Sequence, residues 1–376
     1  MNLSRVGVLT GLELRQRARR SGFYVLLGIF FVVVLAITWL GSLIFAGENV
    51  SSGMISIAIC GVLLMASLVT PTFTGNAING DRDAATLAPV QVTLATTADI
   101  LVSKLLAGWA TGLVYLIVAL PALLYALVSG GEGPQAGTLA VALVVLVAEV
   151  GIISAIGVGL SAVIARPLFS VAATYLVVML LVIGTLIAFG LGTLASRSSS
   201  SVLTEDPSQV YVETGMADRL SACEVTDEPC LEPRPDVSPA CIEVRGAMSM
   251  PRADRVWWLL AANPFVVLAD ATPTAYDRYG YPVDVFGYVK LAVREVQRPP
   301  VLVQDDWTDP CDGKPATDVF AEGDEYPSAR EIIDSTVPSW FVGLGVQALL
   351  AVGLMVWGAS RTRTPARRTP PGSRIA

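Results

Sequence analysis

The sequence predicts an all-α integral membrane protein with six transmembrane helices, cytoplasmic termini and a large extracytoplasmic insert between spans five and six. Composition is the first observation. The 376 residues are 53% hydrophobic and 15% charged, whereas soluble domains carry about a quarter charged residues. The second observation is a set of six apolar stretches of membrane-crossing length. The third is the distribution of lysine and arginine among the loops.

The six spans follow from the length of the apolar stretches. One crossing of the hydrocarbon core needs roughly 20 mostly apolar residues. Stretches of that length lie at about 22–45, 53–73, 105–129, 137–164, 169–194 and 338–358. The first is too long for a signal peptide, and "LIFAGENV" at its end is a poor cleavage site, so we interpret it as a retained span.

Orientation follows from the basic residues, which favour the cytoplasmic side. Six spans place both termini and the loops after spans two and four on one side of the bilayer. That side carries 13 Lys and Arg residues, and the short opposite loops "GENVSSG" and "GGEGPQA" carry none. The charges therefore predict cytoplasmic termini in a multi-pass cell-membrane protein, with a bacterial plasma membrane as the expected location.

Three regions follow from this topology. Residues 1–194 form a membrane domain with an N-terminal amphipathic helix and spans one to five. Residues 195–337 form an extracytoplasmic domain with 25 acidic and 12 basic residues. Residues 338–376 hold the sixth span and a basic cytoplasmic tail.

The stretch 255–271, "RVWWLLAANPFVVLADA", is the one ambiguous apolar segment. A seventh span is the alternative, but the uncharged run is short and is broken by Asn263 and Pro264. A seventh crossing would also move the arginine-rich tail outside. We expect a short helix or re-entrant piece at the outer interface, with Trp257 and Trp258 in the headgroup zone.

Cysteine positions agree with the predicted topology. Four of the five cysteines fall in the extracytoplasmic segment, and the fifth, Cys60, lies in span two. An even number in an oxidising space predicts two disulfides whose pairing the sequence leaves open. The four are Cys223, Cys230, Cys241 and Cys311.

Catalytic and metal-binding patterns are missing from the sequence. The chain has no histidine, no Cys-x-x-Cys pair and no G-x-x-x-x-G-K-[ST] phosphate loop. We therefore expect no enzyme activity, no bound metal or cofactor, and no nucleic-acid partner.

Glu149 is the ionisable residue near the middle of span four. A charge at that depth is unfavourable unless it is protonated, partnered or facing water. Two interpretations stay open: Glu149 lines a translocation path, or it is a protonated carboxyl bonded to a neighbouring helix.

Two amphipathic stretches are predicted on the cytoplasmic side. Residues 4–23 place Val6, Leu9 and Leu12 on one helical face, followed by a basic cluster that suits anionic lipid. The cluster consists of Arg15, Arg17, Arg19 and Arg20. Residues 78–107 combine a charged trio with a break at Pro89 and a helix start at residues 95–99, where Thr97 or Asp99 is the expected cap.

These stretches, together with "NPFVVLADA" before the last span, resemble the type-2 class of ATP-binding-cassette (ABC) transporter permeases. In that class an acid-Arg-acid cluster precedes a Thr-Leu pair, a Pro-containing turn and a Gly/Ser-Lys-Leu-Leu entry to span three. The matching residues are Asp81, Arg82, Asp83, Thr86, Leu87, Pro89, Ser103, Lys104, Leu105 and Leu106. The resemblance implies that the loop 78–104 docks on a separate ATPase and that the basic N-terminus is the connecting helix.

The resemblance implies a permease subunit, an exporter, that works with a cytoplasmic ABC ATPase and a second permease copy or related chain in the lipid bilayer. ATP and Mg²⁺ would bind to the partner ATPase. The long insert departs from a minimal member of the class. It leaves open an alternative, an envelope-control or signalling protein that passes ATPase motion to its extracytoplasmic domain without moving cargo.

Overall fold

A computed structural model of the protein describes residues 2–44, 51–83, 96–129, 135–203, 248–300, 303–305 and 327–362. These residues are mostly helical. Six of their helical segments are long and apolar enough to cross a membrane, which confirms the predicted number of spans.

The helices and strands are numbered in chain order. The helices are α1 (Leu3–Ala18), α2 (Ser21–Ile44), α3 (Ser51–Thr74), α4 (Asn79–Asp83), α5 (Thr97–Ser129), α6 (Gln135–Val163), α7 (Pro167–Met179), a π-helix (Leu180–Gly184), α8 (Thr185–Ala195), a 3₁₀ turn (Ala253–Arg255), α9 (Trp258–Ala261), α10 (Pro264–Ala271), α11 (Val285–Glu295), α12 (Ala329–Ser335) and α13 (Trp340–Thr362). The strands are β1 (Arg197–Leu203), β2 (Met248–Pro251) and β3 (Val303–Asp305). Span one is α2, and span two runs from α3 to the end of α4 (Gly53–Asp83). Spans three and four are α5 and α6, span five runs from α7 through the π-helix to α8, and span six is α13.

Contacts divide the chain into two compact units. The first consists of Met1–Phe189, Trp257–Gln297 and Ser328–Ala376, and the second of Gly190–Val256 and Arg298–Pro327. The first unit therefore includes Trp257–Gln297, which were predicted to belong to the extracytoplasmic insert. The second unit holds a three-stranded sheet in the order β2-β1-β3, with β1 antiparallel to β2 and parallel to β3.

The centre of the first unit is formed by α3, α5 and α6, which pack against one another. Their buried side chains include Ile59, Leu63, Leu123 and Leu146. Spans one, five and six have few buried residues, and large apolar side chains such as Leu191 are exposed on them. Exposure of that much apolar surface is unfavourable in water by about 25 cal/mol per Å², so these outer faces suit lipid.

Glycines allow close helix approaches in the bundle. A Cβ on Gly108 of α5 would lie 2.6 Å from the side chain of Thr74, and one on Gly159 of α6 would lie 2.8 Å from the backbone of Leu354. Small residues let membrane helices pack closely. These close approaches lie between α5 and α3 and between α6 and α13.

The ambiguous stretch 255–271 forms two short helices, α9 and α10, and is not among the six candidate spans. Asn263 caps α10, since its side chain accepts from the amide of Phe265, and Pro264 begins the helix. In α10 the residues Val266 to Asp270 are all buried. The segment is therefore more deeply covered by protein than a helix that only lies on a membrane interface, although Trp258 is exposed.

Candidate functional site

The residues of the predicted coupling region meet at one end of the bundle. Here α1 packs along the first turns of α5, and α4 follows the last turn of α3. Four charged side chains from these elements form what we call the polar junction: Glu13, Arg17, Asp81 and Lys104.

Asp99 forms hydrogen bonds at the start of α5 and at the start of α1. Its Oδ2 accepts from the amide of Thr96 at 3.0 Å, and the Thr96 hydroxyl accepts from the amide of Asp99 at 3.2 Å. This reciprocal capping starts α5 at Thr97, earlier than the predicted span. The N-cap is Thr96 rather than the expected Thr97 or Asp99, and Asp99 takes part in the cap as the acceptor of the Thr96 amide. The Oδ1 of Asp99 also accepts from the amide of Asn2, the N-cap of α1, at 3.0 Å.

Lys104 is the centre of the polar junction. Its Nζ lies 2.6 Å from Oε2 of Glu13 on α1 and 2.6 Å from Oδ2 of Asp81 on α4. The Lys104 side chain is only 11% exposed, so its charge depends on these two carboxylates for compensation. One ammonium group therefore joins α1, α4 and span three.

Glu13 is shared between Lys104 and Arg17. Burial alone would raise the pKa of Glu13, but the attraction and hydrogen bonds of Lys104 and Arg17 outweigh it and hold the pKa below its ordinary value. Glu13 is therefore ionised in the folded protein.

The four basic residues of α1 separate into two groups. Arg17 is buried, bonds to Glu13, and donates to the hydroxyl of Thr111 at 3.2 Å. The other three are exposed: Arg15, Arg19 and Arg20. Of the apolar face predicted for α1, Val6 is buried against protein while Leu12 remains 50% exposed.

The acid-Arg-acid trio also divides by position. Asp81 is engaged by Lys104, Arg82 donates to Oδ1 of Asn79 at 3.4 Å, and Asp83 is exposed. The start of α4 is anchored to span four, because the hydroxyl of Ser161 accepts from the amide of Asn79 at 3.2 Å. Asp83 is thus the acid of the trio that faces outward.

Several predicted residues lie outside the described part of the chain. They are Thr86 and Leu87 of the predicted coupling loop, Pro89, and the four cysteines Cys223, Cys230, Cys241 and Cys311. Cys60, the cysteine within the described ranges, is free. The described ranges contain no group of three or more His, Cys, Asp or Glu side chains that could hold a metal ion.

Glu149 of span four is fully buried, and within the described residues both of its carboxylate oxygens are without a hydrogen-bond partner. Gln347 of span six faces it. The Nε2 of Gln347 donates to the carbonyl of Ala262, between α9 and α10, at 3.0 Å. Its Oε1 has no donor among the described groups.

Asn263, which follows Ala262 between α9 and α10, forms hydrogen bonds with span five. Its Nδ2 donates to the carbonyl of Val182 at 2.7 Å and to the hydroxyl of Thr185 at 3.0 Å. Val182 lies in the π-helix of span five. The Asn-Pro-Phe segment therefore contacts span five through Asn263 and span six through Ala262.

A second charged cluster lies at the end of the bundle where α11 packs beside the first turns of α3. Asp270 accepts from Nε of Arg294 at 2.8 Å and from the backbone amides of Ser339 and Trp340 at 2.6 and 3.0 Å. It caps α13 from another part of the chain. Arg294 also donates to the carbonyl of Thr336 at 2.7 Å.

Lys290 and Asp284 complete this second cluster. Lys290 donates to the carbonyl of Thr272 at 2.6 Å, and Asp284 accepts from the amide of Gly287 at 2.8 Å to cap α11. Burial lowers the pKa of Lys290 and raises that of Asp284. Both pKa shifts come from removing charged side chains from water.

Sequence reasoning missed Glu13, Asp270 and Arg294. Glu13 had a signal, since Glu and Arg at positions i and i+4 pair on a helix surface. The sequence also contained a signal for Asp270, because Asp270 is the acidic residue inside an otherwise apolar run. Its partner Arg294 had no comparable signal, because the two meet only in the folded chain.

No protein-family model matches the chain, and no curated protein matches it in sequence.

Proposed function

We propose that the chain is the transmembrane permease subunit of an ATP-driven ABC transporter of the type-2 class, and that it acts as an exporter. The resemblance of its N-terminal, 78–107 and Asn-Pro-Phe stretches to that class is the starting point. A cytoplasmic ATPase would bind ATP and Mg²⁺, and a second permease copy or a related chain would complete the pathway in the plasma membrane.

The observation that supports the proposal most is the double ion pair of Lys104. The two stretches that the resemblance names as connecting helix and coupling loop are separate in sequence. Lys104 links both to the first turns of span three through Glu13 and Asp81. Movement imposed on the loop would therefore be passed directly to a spanning helix.

Charge supports the same assignment. The 13 Lys and Arg residues of one predicted side include Lys104 and Arg82, so the positive-inside rule favours a cytoplasmic position for the polar junction. Asp83 is the exposed acid of the trio. It is the residue that we expect to contact the ATPase, with Asp81 acting inside the permease.

The proposal is tested by purifying the tagged chain from its native membrane. We expect a partner that carries a G-x-x-x-x-G-K-[ST] phosphate loop and hydrolyses ATP in the complex. Absence of any ATP-binding partner, with no ATP-dependent activity in the purified material, would refute the proposal.

Charge-reversal variants then distinguish the role of Asp81 from that of Asp83. Asp83→Lys should weaken retention of the ATPase while leaving the thermal stability of the permease unchanged, because Asp83 is exposed. Asp81→Lys should lower that stability, since it repels Lys104. Asp334→Lys is the matched control, an exposed acid of α12 that should leave the complex intact. Retention of the complex by Asp83→Lys would exclude Asp83 from the interface.

A second candidate function, envelope control without transport, is favoured by the Asp270 cluster. Asp270 and Arg294 connect α10, α11 and the residues after α12 to the start of span six. A rigid link of this kind would pass motion of span six to elements outside the bundle. ATP-dependent uptake of cargo into inverted vesicles supports export, whereas ATPase activity that requires an external protein and gives no flux supports control.

A further inference from the structure

Span five changes its hydrogen-bond register at Leu180–Gly184, where the chain forms a π-helix between α7 and α8. The amide of Thr185 donates to the carbonyl of Leu180, five residues back, whereas in an α-helix it would bond to Leu181. The hydroxyl of Thr185 donates to the Leu181 carbonyl instead, at 2.8 Å. A turn of this kind adds about one residue to an α-helix, and such turns are rare and are often found at functional sites.

Asn263 lies beside this turn and bonds to it through its side chain. Its Nδ2 donates to the carbonyl of Val182 at 2.7 Å and to the hydroxyl of Thr185 at 3.0 Å, while its Oδ1 accepts from the amide of Phe265 at 2.9 Å. Exchange of the side-chain oxygen and nitrogen would set oxygen against the Val182 carbonyl and NH₂ against the Phe265 amide, so the orientation is fixed. Asn263 is 2% exposed. Both ends of its amide group are therefore used to hold α10 against the π-helix.

The turn between α9 and α10 that carries Asn263 is packed on span six. A Cβ on Gly343 would overlap the carbonyl oxygen of Ala261, so only glycine permits this approach. One turn further along α13, Nε2 of Gln347 donates to the carbonyl of Ala262 at 3.0 Å. The two residues before Asn263 are therefore fixed to span six, and a displacement of span six would draw Asn263 away from span five.

We propose that Asn263 is a latch that keeps the π-helix in span five. When its side chain leaves Val182 and Thr185, the segment closes into a continuous α-helix and α8 rotates by about 100°, the angle between successive residues of an α-helix. The amide of Thr185 then bonds to Leu181, so the Leu181 carbonyl keeps a partner inside the membrane. The latch converts a displacement of span six into a rotation of span five.

The rotation has a defined effect on the faces of α8. Phe189 is partly buried and packs against the cluster of Leu260, Val266 and Val293. Ile187, on the opposite side of α8, is 57% exposed. A rotation by about 100° in either direction would move Phe189 out of the cluster and toward the outer surface of the bundle. This inference concerns the spans themselves and does not depend on the proposed ATPase.

Oxygen accessibility of a spin label in place of Phe189 tests the latch in the full-length protein in lipid vesicles. A genetically encoded spin-labelled amino acid leaves the five native cysteines unchanged. Asn263→Ser keeps an oxygen that caps α10 but removes both Nδ2 bonds, and Thr185→Val removes the hydroxyl that Asn263 contacts. In both variants the collision rate with oxygen should rise to the value that the label gives in place of the exposed Ile187 of the wild type.

Two controls separate rotation of α8 from general loosening. A label in place of Leu176 lies before the π-helix at an exposed position, and its accessibility should be the same in all variants. Thr38→Val is the matched substitution, because the Thr38 hydroxyl donates within its own helix to the carbonyl of Val34 at 2.8 Å. It should leave the label at Phe189 unchanged. Wild-type accessibility at Phe189 in folded Asn263→Ser would overturn the proposal.

Deletion of Ile183 decides the matter if the latch variants do not fold. Ile183 is 49% exposed, and its deletion removes the additional residue, so span five becomes a continuous α-helix with α8 in its present orientation. Such a helix does not need Asn263. The deletion should therefore restore the folded protein, or the melting temperature, that Asn263→Ser loses. Equal losses from Asn263→Ser with and without the deletion would show that Asn263 is only a packing contact, and the latch would be refuted.

Discussion

Lys104 of span three and Glu13 of the N-terminal helix form an ion pair with Nζ and Oε2 2.6 Å apart, although 91 positions separate them in the chain. The same ammonium group lies 2.6 Å from Asp81. The two carboxylates would repel each other without it. The pairing explains why a polar helix without a span of its own remains fixed to the bundle.

Replacement of Lys104 by Met should destabilise the protein. The change leaves Glu13 and Asp81 without their shared partner, at a cost of about 2 kcal/mol, which is typical of a lost hydrogen bond to a charged group. The expected result is a melting temperature in detergent lower by several degrees. Lys104→Arg keeps the charge and serves as the control. Equal melting temperatures for Lys104→Met and wild type would show that the pair contributes nothing to stability.

The pH dependence of stability should contain a contribution from Glu13. Its pKa in the folded protein is below the ordinary value of 4.5. The stabilisation is therefore fully present above about pH 4.5 and is lost as the pH falls through the folded pKa. Melting temperatures of wild type and Glu13→Gln should differ at neutral pH and converge in acid. Asp83→Asn, at an exposed acid, should follow wild type throughout, and a Glu13→Gln difference that is constant with pH would contradict the assignment.

Asp270→Asn should be among the most damaging single substitutions outside the spans. The change removes the negative charge that Arg294 pairs with. It also replaces one carboxylate oxygen by an NH₂ group, which cannot accept the hydrogen bonds that Arg294 and the Ser339 amide donate to Asp270. Breaking a buried ion pair from one side costs about 3–5 kcal/mol. We expect poor recovery of folded protein from membranes, measured by size-exclusion chromatography in detergent. Asp334→Asn, at an exposed acid of α12, is the matched control.

A double substitution makes the Asp270 prediction sharper. Removing both charges with Asp270→Asn and Arg294→Met should recover part of the stability lost by Asp270→Asn alone, because no uncompensated charge remains. Additive effects of the two changes would mean that the pair is not energetically coupled.

The sequence predicted the six spans well because apolar length alone specifies them. It also singled out Glu149 by its position in an apolar helix, and it correctly kept 255–271 out of the set of spans. It did not predict the separation of Arg17 from Arg15, since charge alone does not tell which face of α1 meets α5. The sequence also did not predict the partners of Lys104 and Asp270, because it does not show which helix faces meet. Spans that are apolar all round give no periodicity from which helix neighbours can be inferred.

Close packing between spans four and six supplies the last prediction. A Cβ added to Gly159 would lie 2.8 Å from the backbone of Leu354, which has no flexible end that can move away. Gly159→Ala should therefore force α6 and α13 apart and destabilise the protein by about 1–3 kcal/mol, as overpacking does. Gly353→Ala is the control on the facing helix, because a Cβ there meets nothing within 4 Å, and alanine is the better helix former. Thermal unfolding in detergent should place Gly159→Ala below wild type and Gly353→Ala level with it or above. The reverse order would show that spans four and six pack differently from the arrangement described.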